Sequence, residues 1–278
     1  MRREISFNAG EISLSARNDG LTVMKHEEML MRPDEYRVMF EIEDAYWWYR
    51  GVRALLTRWL ARYAPTDKSS AMILDVGCGT GANLKMLQAY GAAIGVDISE
   101  QALAFCRARG IPRDRTFLAS ATDLPFPDSQ FDLAISFDVI CNIVDDARAF
   151  AQVARVLKPG SRFIVGLPAY QWLWGEHDVA VGHQRRYDAR AVREKMAAAG
   201  FEIERMTYAN ALLLPLIAAL RLTVRRASSN GDAVRSDLVP LPRVINAPLA
   251  ALFTAEMRAV SHLNLPYGLS VIAVGRKR

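Results

Sequence analysis

At 278 residues the chain exceeds a typical domain of roughly 100–200 residues, yet α/β folds of this size are commonly one unit, so one domain with an appendage is expected. A hydrophobic share of 51%, a charged share of 23% and a mean hydropathy of +0.04 exclude disorder and permit a large buried sheet. A formal charge of +5 with no long Lys/Arg run compels no nucleic-acid footprint, and no segment approaches the roughly 18 apolar residues of a membrane span.

Residues 1–32 show no sustained periodicity and are expected to form an arm or short cover. From Pro33 to Tyr63 the apolar spacing predicts two helices separated near Asp44–Arg50. Met72–Val76 is a short apolar strand ending in glycines. Ala82–Tyr90 is helical, and Ala92–Val96 is a second strand closed by Asp97. Ser99 is placed to cap a helix over Glu100–Arg109, and Arg115–Ser120 makes a third strand. Phe131–Phe137, helix Asp146–Leu157 and Arg162–Leu167 continue the alternation. Asp188 can cap Ala189–Ala199, Gly200 ends that helix, and Phe201–Met206 and Leu269–Val274 are the last two strands. Between those strands, 209–268 forms an apolar and basic insertion with helical segments Leu212–Leu220 and Val244–Phe253.

This alternation predicts an α/β fold: a Rossmann-like, doubly wound sheet of seven strands, mostly parallel with an antiparallel last strand, preceded by N-terminal helices. Ligands of such sheets sit at the carboxyl ends of the strands, so function is sought in the loops that follow them. Cys78, Cys106 and Cys141 lack CxxC spacing, which suggests neither a disulfide framework nor a zinc site, and fits a reducing, cytoplasmic setting. Arg2 and Arg3 are followed by no apolar core of a leader peptide, so export is not expected.

The strongest local signal is Asp75-Val76-Gly77-Cys78-Gly79-Thr80-Gly81 at a strand-to-helix junction, where glycines let the backbone turn tightly and approach a ligand. Gly77, Gly79 and Ala82 also satisfy the nicotinamide pattern GxGxx[GA], so an oxidoreductase is a rival reading. Asp75 separates the two, because an acid at the loop's entry repels a pyrophosphate and attracts a sulfonium or ammonium. Asp97, twenty residues after Gly77, suits a carboxylate that accepts hydrogen bonds from the ribose hydroxyls of an adenosine.

From Leu74 to Phe201 these features resemble the class I S-adenosylmethionine-dependent methyltransferases, in their type 11-like branch. Ala121-Thr122-Asp123-Leu124-Pro125-Phe126 resembles the family's adenine-binding segment. Phe131-Asp132-Leu133 and Leu157-Lys158-Pro159-Gly160 resemble the opening of its fourth strand and the turn before its fifth. The resemblance implies S-adenosylmethionine as cofactor, held by Asp75, Gly77, Gly79, Gly81, Asp97, Ile98, Asp123, Leu124 and Phe137. Trp47-Trp48-Tyr49-Arg50 is similar to a run in a bacterial subgroup, which adds Tyr49 and Arg50 over the cofactor; packing of the aromatics in the core is the alternative. The chain departs from many relatives at Cys141-Asn142, where they carry Glu-His, and at Ser161, where a second glycine is common.

A base is needed only where the acceptor must lose a proton. His177 and His183, in the polar and aromatic loop after strand five, are the candidates, although His183, Arg185 and Tyr187 can equally brace that loop against the next helix. A metal site at His177, Asp178 and His183 lacks clear ligand spacing, and none is expected. The expectation is methyl transfer to a small-molecule or lipid-linked acceptor, at oxygen, with no nucleic acid as partner. The late insertion, where Arg221, Arg225, Arg226, Arg235, Arg243 and Arg258 outnumber Asp232, Asp237 and Glu256, could cap the acceptor site, form an interface or touch a membrane surface. A non-catalytic partner-binding protein of the same fold is the rival from another class; the oligomeric state is not read from these patterns.

Overall fold

The computed structural model describes residues 4–5, 14–15, 31, 33–227 and 238–278. The expected arm therefore lies largely outside the described residues, apart from an antiparallel pairing of Glu4–Ile5 with Leu14–Ser15. Arg235, Asp232 and Asp237 of the basic insertion also lie outside them.

Two helices, α1 (Pro33–Ile42) and α2 (Trp47–Tyr63), precede the sheet. The break between them is shorter than its spacing suggests, and Trp47 to Arg50 open α2 instead of lying in the break. The reason is tertiary: the Trp47 amide donates to Asn246 Oδ1 at 2.9 Å, while Asn246 Nδ2 donates to the Ala45 carbonyl at 2.9 Å. A side chain 199 residues away does the capping that the local sequence lacks.

The strands are β1 (Met72–Val76), β2 (Ala92–Asp97), β3 (Thr116–Leu118), β4 (Phe131–Phe137), β5 (Leu157–Pro168), β6 (Phe201–Ala209) and β7 (Ser270–Lys277). They lie in the order β3-β2-β1-β4-β5-β7-β6, with β7 antiparallel to both of its neighbours and all other pairs parallel. The chain winds outward in both directions from β1 and β4, and the crevice of such a sheet opens between those two strands. β5 begins earlier than predicted, at Leu157, with a register shift between Phe131 and Leu133 and a left-handed Gly160. β6 and β7 are longer than predicted because they pair over their whole length, from Phe201 opposite Lys277 to Ala209 opposite Ser270.

The pleat sends alternate residues to two cores. Ile73, Leu133, Ile135 and Ile164 pack with α2, α3 (Ala82–Leu87), α4 (Glu100–Ala108) and the late helix α9 (Arg243–Val260). Leu74, Val76, Ala134 and Val165 pack with α5 (Asp146–Val156) and α7 (Ala189–Ala198). The expected caps form: Ala102 N–H donates to Ser99 Oγ at 3.2 Å, and Ala191 N–H donates to Asp188 Oδ1 at 2.7 Å.

The insertion is two different things. Phe253, Met257 and Val260 of α9 are buried, and a Cβ on Gly51 would collide with the Phe253 ring, so α9 is a core helix packed closely on α2. Glu256 of α9 accepts the amides of Ala211 and Leu212, at 2.9 and 3.1 Å, and so fixes the entry of α8 (Leu214–Ala227). α8 and the segment after residue 237 roof the carboxyl ends of the strands. Among the described residues, no helix is long and apolar enough to cross a membrane.

Candidate active site

A cavity of about 1020 Å³ opens at the carboxyl ends of β1, β2 and β4. At one end is the glycine loop. Gly77, Gly79 and Gly81 all have left-handed backbones, with φ of 76°, 51° and 89°, which side chains rarely tolerate. A Cβ on Gly77 would also collide with Val139, so the β1 and β4 loops nest directly against each other.

The loop's amides are already committed. Gly77 and Cys78 N–H donate to the Val96 carbonyl at 2.8 and 2.9 Å, Gly81 N–H donates to the Cys78 carbonyl at 3.0 Å, and Gly79 N–H donates to Asp97 Oδ2 at 2.9 Å. A pyrophosphate-binding turn presents such amides to its ligand; this one spends them on the adjoining strand. Asp97 also accepts the Ser99 amide at 2.9 Å, so one carboxylate joins the glycine loop to the β2 tip and lines the cavity.

Acids surround the loop. Asp75 is buried beneath it, and its Oδ2 has no hydrogen-bond partner. Burial, with the charges of Asp97 and Glu43, pushes its carboxyl up to about 8. Glu43, in the turn after α1, accepts from the Thr80 hydroxyl and from Arg109 and lines the cavity; burial pushes its carboxyl up as well. Arg109 closes this corner, donating from Nε to the Thr80 carbonyl at 2.8 Å, from Nη1 to Asp44 at 3.0 Å and from Nη2 to the Phe40 carbonyl at 3.2 Å. An orphaned carboxylate oxygen and three clustered acids suit a cationic ligand and oppose a phosphate. The residues present therefore fit a sulfonium cofactor.

The far end of the cavity is apolar wall with a polar floor. Trp47 and Trp48 of α2, Leu213, Leu216 and Ile217 of the α8 region, and Leu238, Leu241 and Leu249 line the wall. On the floor, Asp138 follows β4 with a left-handed backbone, φ 55°, uncommon for a residue with a side chain and the kind of local strain that clusters at functional sites. Burial pushes its carboxyl up, opposed by the charges of His183 and Arg186 and by a hydrogen bond from Trp48. His183 lines the cavity with its Nδ1 2.7 Å from Asp178 Oδ1.

The predicted site residues divide accordingly. Gly77, Gly79, Asp97, Ile98, Phe137, Tyr49, His177 and His183 line the cavity. Asp75 and Gly81 stand behind the loop: a Cβ on Gly81 would meet Ile111 and Cys106. Leu124 is buried in the sheet's other core, and Asp123 and Arg50 are exposed and outside the cavity lining. Ala119 and Ala121 line the cavity where Asp123 was expected. Arg185 and Tyr187 tie the loop to α5 instead of bracing it directly against the helix that follows, both reaching Asp146 at 2.7 Å, and Lys195 of α7 meets the same carboxylate at 2.7 Å. His177, Asp178 and His183 do not form a metal cluster; among the described residues, no group of three His, Cys, Asp or Glu side chains is arranged to hold a metal ion. Asp138 and Glu43 were not expected at the site, and Asp178 was weighed only as a metal ligand; Asp138 directly follows a strand predicted to end at the site, and no local signal marks Glu43.

A family model described as a methyltransferase domain matches residues 74–165, which span β1 to β5. A probable S-adenosylmethionine-dependent methyltransferase of Mycolicibacterium smegmatis is 30% identical over 161 residues, covering 57% of this chain and 60% of that one. A second, of Mycobacterium tuberculosis, is 26% identical over 250 residues and 86% of each chain. Over β1 to β5 the chain carries a methyltransferase domain, and it is similar to the S-adenosylmethionine-dependent methyltransferases. The crystal structure of a methyltransferase from Mesorhizobium loti shares the fold, with a TM-score of 0.52 at 18% identity over 84% of this chain and 100% of that one. The first relative is thus spanned over less than two thirds of its length, the second over most of it. The class I methyltransferase cofactor is S-adenosylmethionine, and the acid-ringed, amide-poor loop is the part of this chain suited to it.

Proposed function

We propose that this methyltransferase acts on a hydroxyl of an apolar small-molecule or lipid-linked acceptor. The observation that carries the reading is one continuous cavity lined by the cofactor loop, by a set of leucines and tryptophans, and by His183 and Asp138. Bound S-adenosylmethionine supplies an electrophilic methyl group. Asp97 would bind the ribose hydroxyls, while Asp75, protonated in the cofactor-free chain, would ionise beside the bound cation. The wall holds the acceptor's apolar body, a positioning role that supplies much of the catalysis in a direct displacement. His183 takes the acceptor's proton, as a hydroxyl requires. His177 lines the same floor, its ring centre 6.1 Å from that of His183, and is the second candidate for that role.

Incubating the chain and an extract of its source cells with methyl-labelled cofactor, then finding the label by mass spectrometry, tests the reading. An O-methylated apolar product is expected; label on nitrogen, carbon or a water-soluble polar product would refute the acceptor assignment. The nicotinamide alternative predicts that NADH raises the melting temperature; S-adenosylhomocysteine is expected to do so instead.

A further inference from the structure

A dense polar cluster lies beside His183, away from the cofactor loop. Asp178, at the start of α6 (Glu176–Ala180), has no solvent exposure. It accepts from His183 Nδ1 at 2.7 Å, from Arg186 Nε at 2.7 Å and Nη2 at 3.0 Å, from the Gly175 amide at 2.8 Å and from Arg221 Nη1 at 3.2 Å. Arg221 comes from α8, and the same nitrogen donates to the Leu173 carbonyl. We propose that Asp178 is a positioning residue that fixes the His183 ring as a proton acceptor, and that Arg221 makes this arrangement depend on the roof over the acceptor.

The argument is one of donors and acceptors and rests on the reading that His183 takes the acceptor's proton. Burial pushes the Asp178 carboxyl up, but the hydrogen bonds from His183 and Arg186 and the Arg186 charge outweigh that and hold it far below the usual carboxylate range. An ionised carboxylate can only accept, so Nδ1 must carry the ring proton. That leaves the lone pair on Nε2, the other edge of a ring that lines the cavity. In the transfer, the acceptor's O–H bond breaks, the electron pair stays on oxygen, and the proton is held at Nε2. The resulting imidazolium is hydrogen-bonded to Asp178 and lies within electrostatic reach of Asp138, just after β4. His177 and Glu176 of α6, Arg186, Arg221, Tyr49 of α2 and Cys141 after β4 are the other charged or titratable side chains near these groups.

This placement reaches across the fold. Gly175 and Asp178 belong to the loop after β5, His183 and Arg186 to the segment that returns to α7, and Arg221 to the roof helix. A carboxylate serving only to stitch the loop would not require its histidine partner to line the cavity.

The test uses the full chain labelled with ¹⁵N-histidine and bound to S-adenosylhomocysteine. The expected spectrum shows His183 as the Nδ1–H tautomer with a downfield, slowly exchanging proton that disappears in H183Q. In D178N that signal is lost, and methyl incorporation from labelled cofactor into an apolar extract of source cells falls by roughly 100-fold or more. Affinity for S-adenosylhomocysteine is unchanged. R221Q, which removes one of the two arginines on Asp178, keeps the signal and loses about tenfold in incorporation. An Nε2–H tautomer in the unaltered chain overturns the proposal, even if D178N does not fold. So does a D178N chain with full incorporation when H183Q has none. Full incorporation by H183Q instead defeats the underlying assignment of the base.

Discussion

The two ends of the cavity are built from different materials. At the cofactor end, backbone does the work: four loop amides turn inward, three glycines take left-handed conformations, and Asp97 ties loop to strand. At the acceptor end, side chains from α2, the loops after β4 and β5, and α8 converge, and backbone contributes isolated groups, the Gly175 amide and the Leu173 and Ala169 carbonyls. A site made of backbone needs particular residues at fixed short spacing; one made of side chains needs only that distant segments meet.

The contrast can be broken at several strengths. Replacing Gly77 with Ala forces a side chain into a left-handed position and against Val139. It is expected to cost about 3–5 kcal/mol and roughly 10 °C in melting temperature, read by calorimetry. A single apolar side chain lost from the half-exposed acceptor wall, such as Leu216, should do far less to stability.

Next comes pH. The Asp75 carboxyl, raised to about 8 against an ordinary value of 3.8, is protonated in the folded, cofactor-free chain where the unfolded chain is ionised. Its contribution to stability is therefore full below about pH 4 and is lost as pH rises through about 8, an effect on the order of a few kcal/mol. Binding a cation favours the ionised form, so cofactor uptake near neutral pH should release a proton. Calorimetry in two buffers of different ionisation enthalpy measures it; Asp75→Asn should abolish both the release and the stability slope.

Asp97→Ala should weaken S-adenosylhomocysteine binding by roughly 1–3 kcal/mol, since it removes charged hydrogen bonds to the ligand and slackens the Gly79 turn. Unchanged affinity in a titration would move the ribose elsewhere. The smallest effects belong to Asp123→Ala and Arg50→Ala, exposed positions outside the cavity lining, each expected to change affinity by less than about 0.5 kcal/mol. A loss comparable to Asp97→Ala would show that the Asp123 turn closes over bound cofactor.

The same contrast explains what could be read in advance. β1 and β4 emerge with the limits their apolar runs predict, and the glycine loop announces itself because its conformations admit few other residues. The start of α2 was blurred because its cap comes from Asn246. The insertion's composition could not separate α9, a core helix, from α8, a roof, because both are apolar and their difference is which surface they meet. His183 and Asp178 were visible as residues five apart, but their pairing depends on Arg186 and Arg221 neutralising a buried charge, which no spacing encodes.

Arg109 leaves one more consequence. Its guanidinium holds Phe40, Glu43, Asp44 and Thr80 together, and both it and Glu43 are almost wholly shielded from solvent. Deleting either partner while the first helix stays docked on the glycine turn would leave the other charge buried and uncompensated, a penalty of about 3–5 kcal/mol that added salt does little to reduce, so this corner tethers the helix to the cofactor loop as a matched pair.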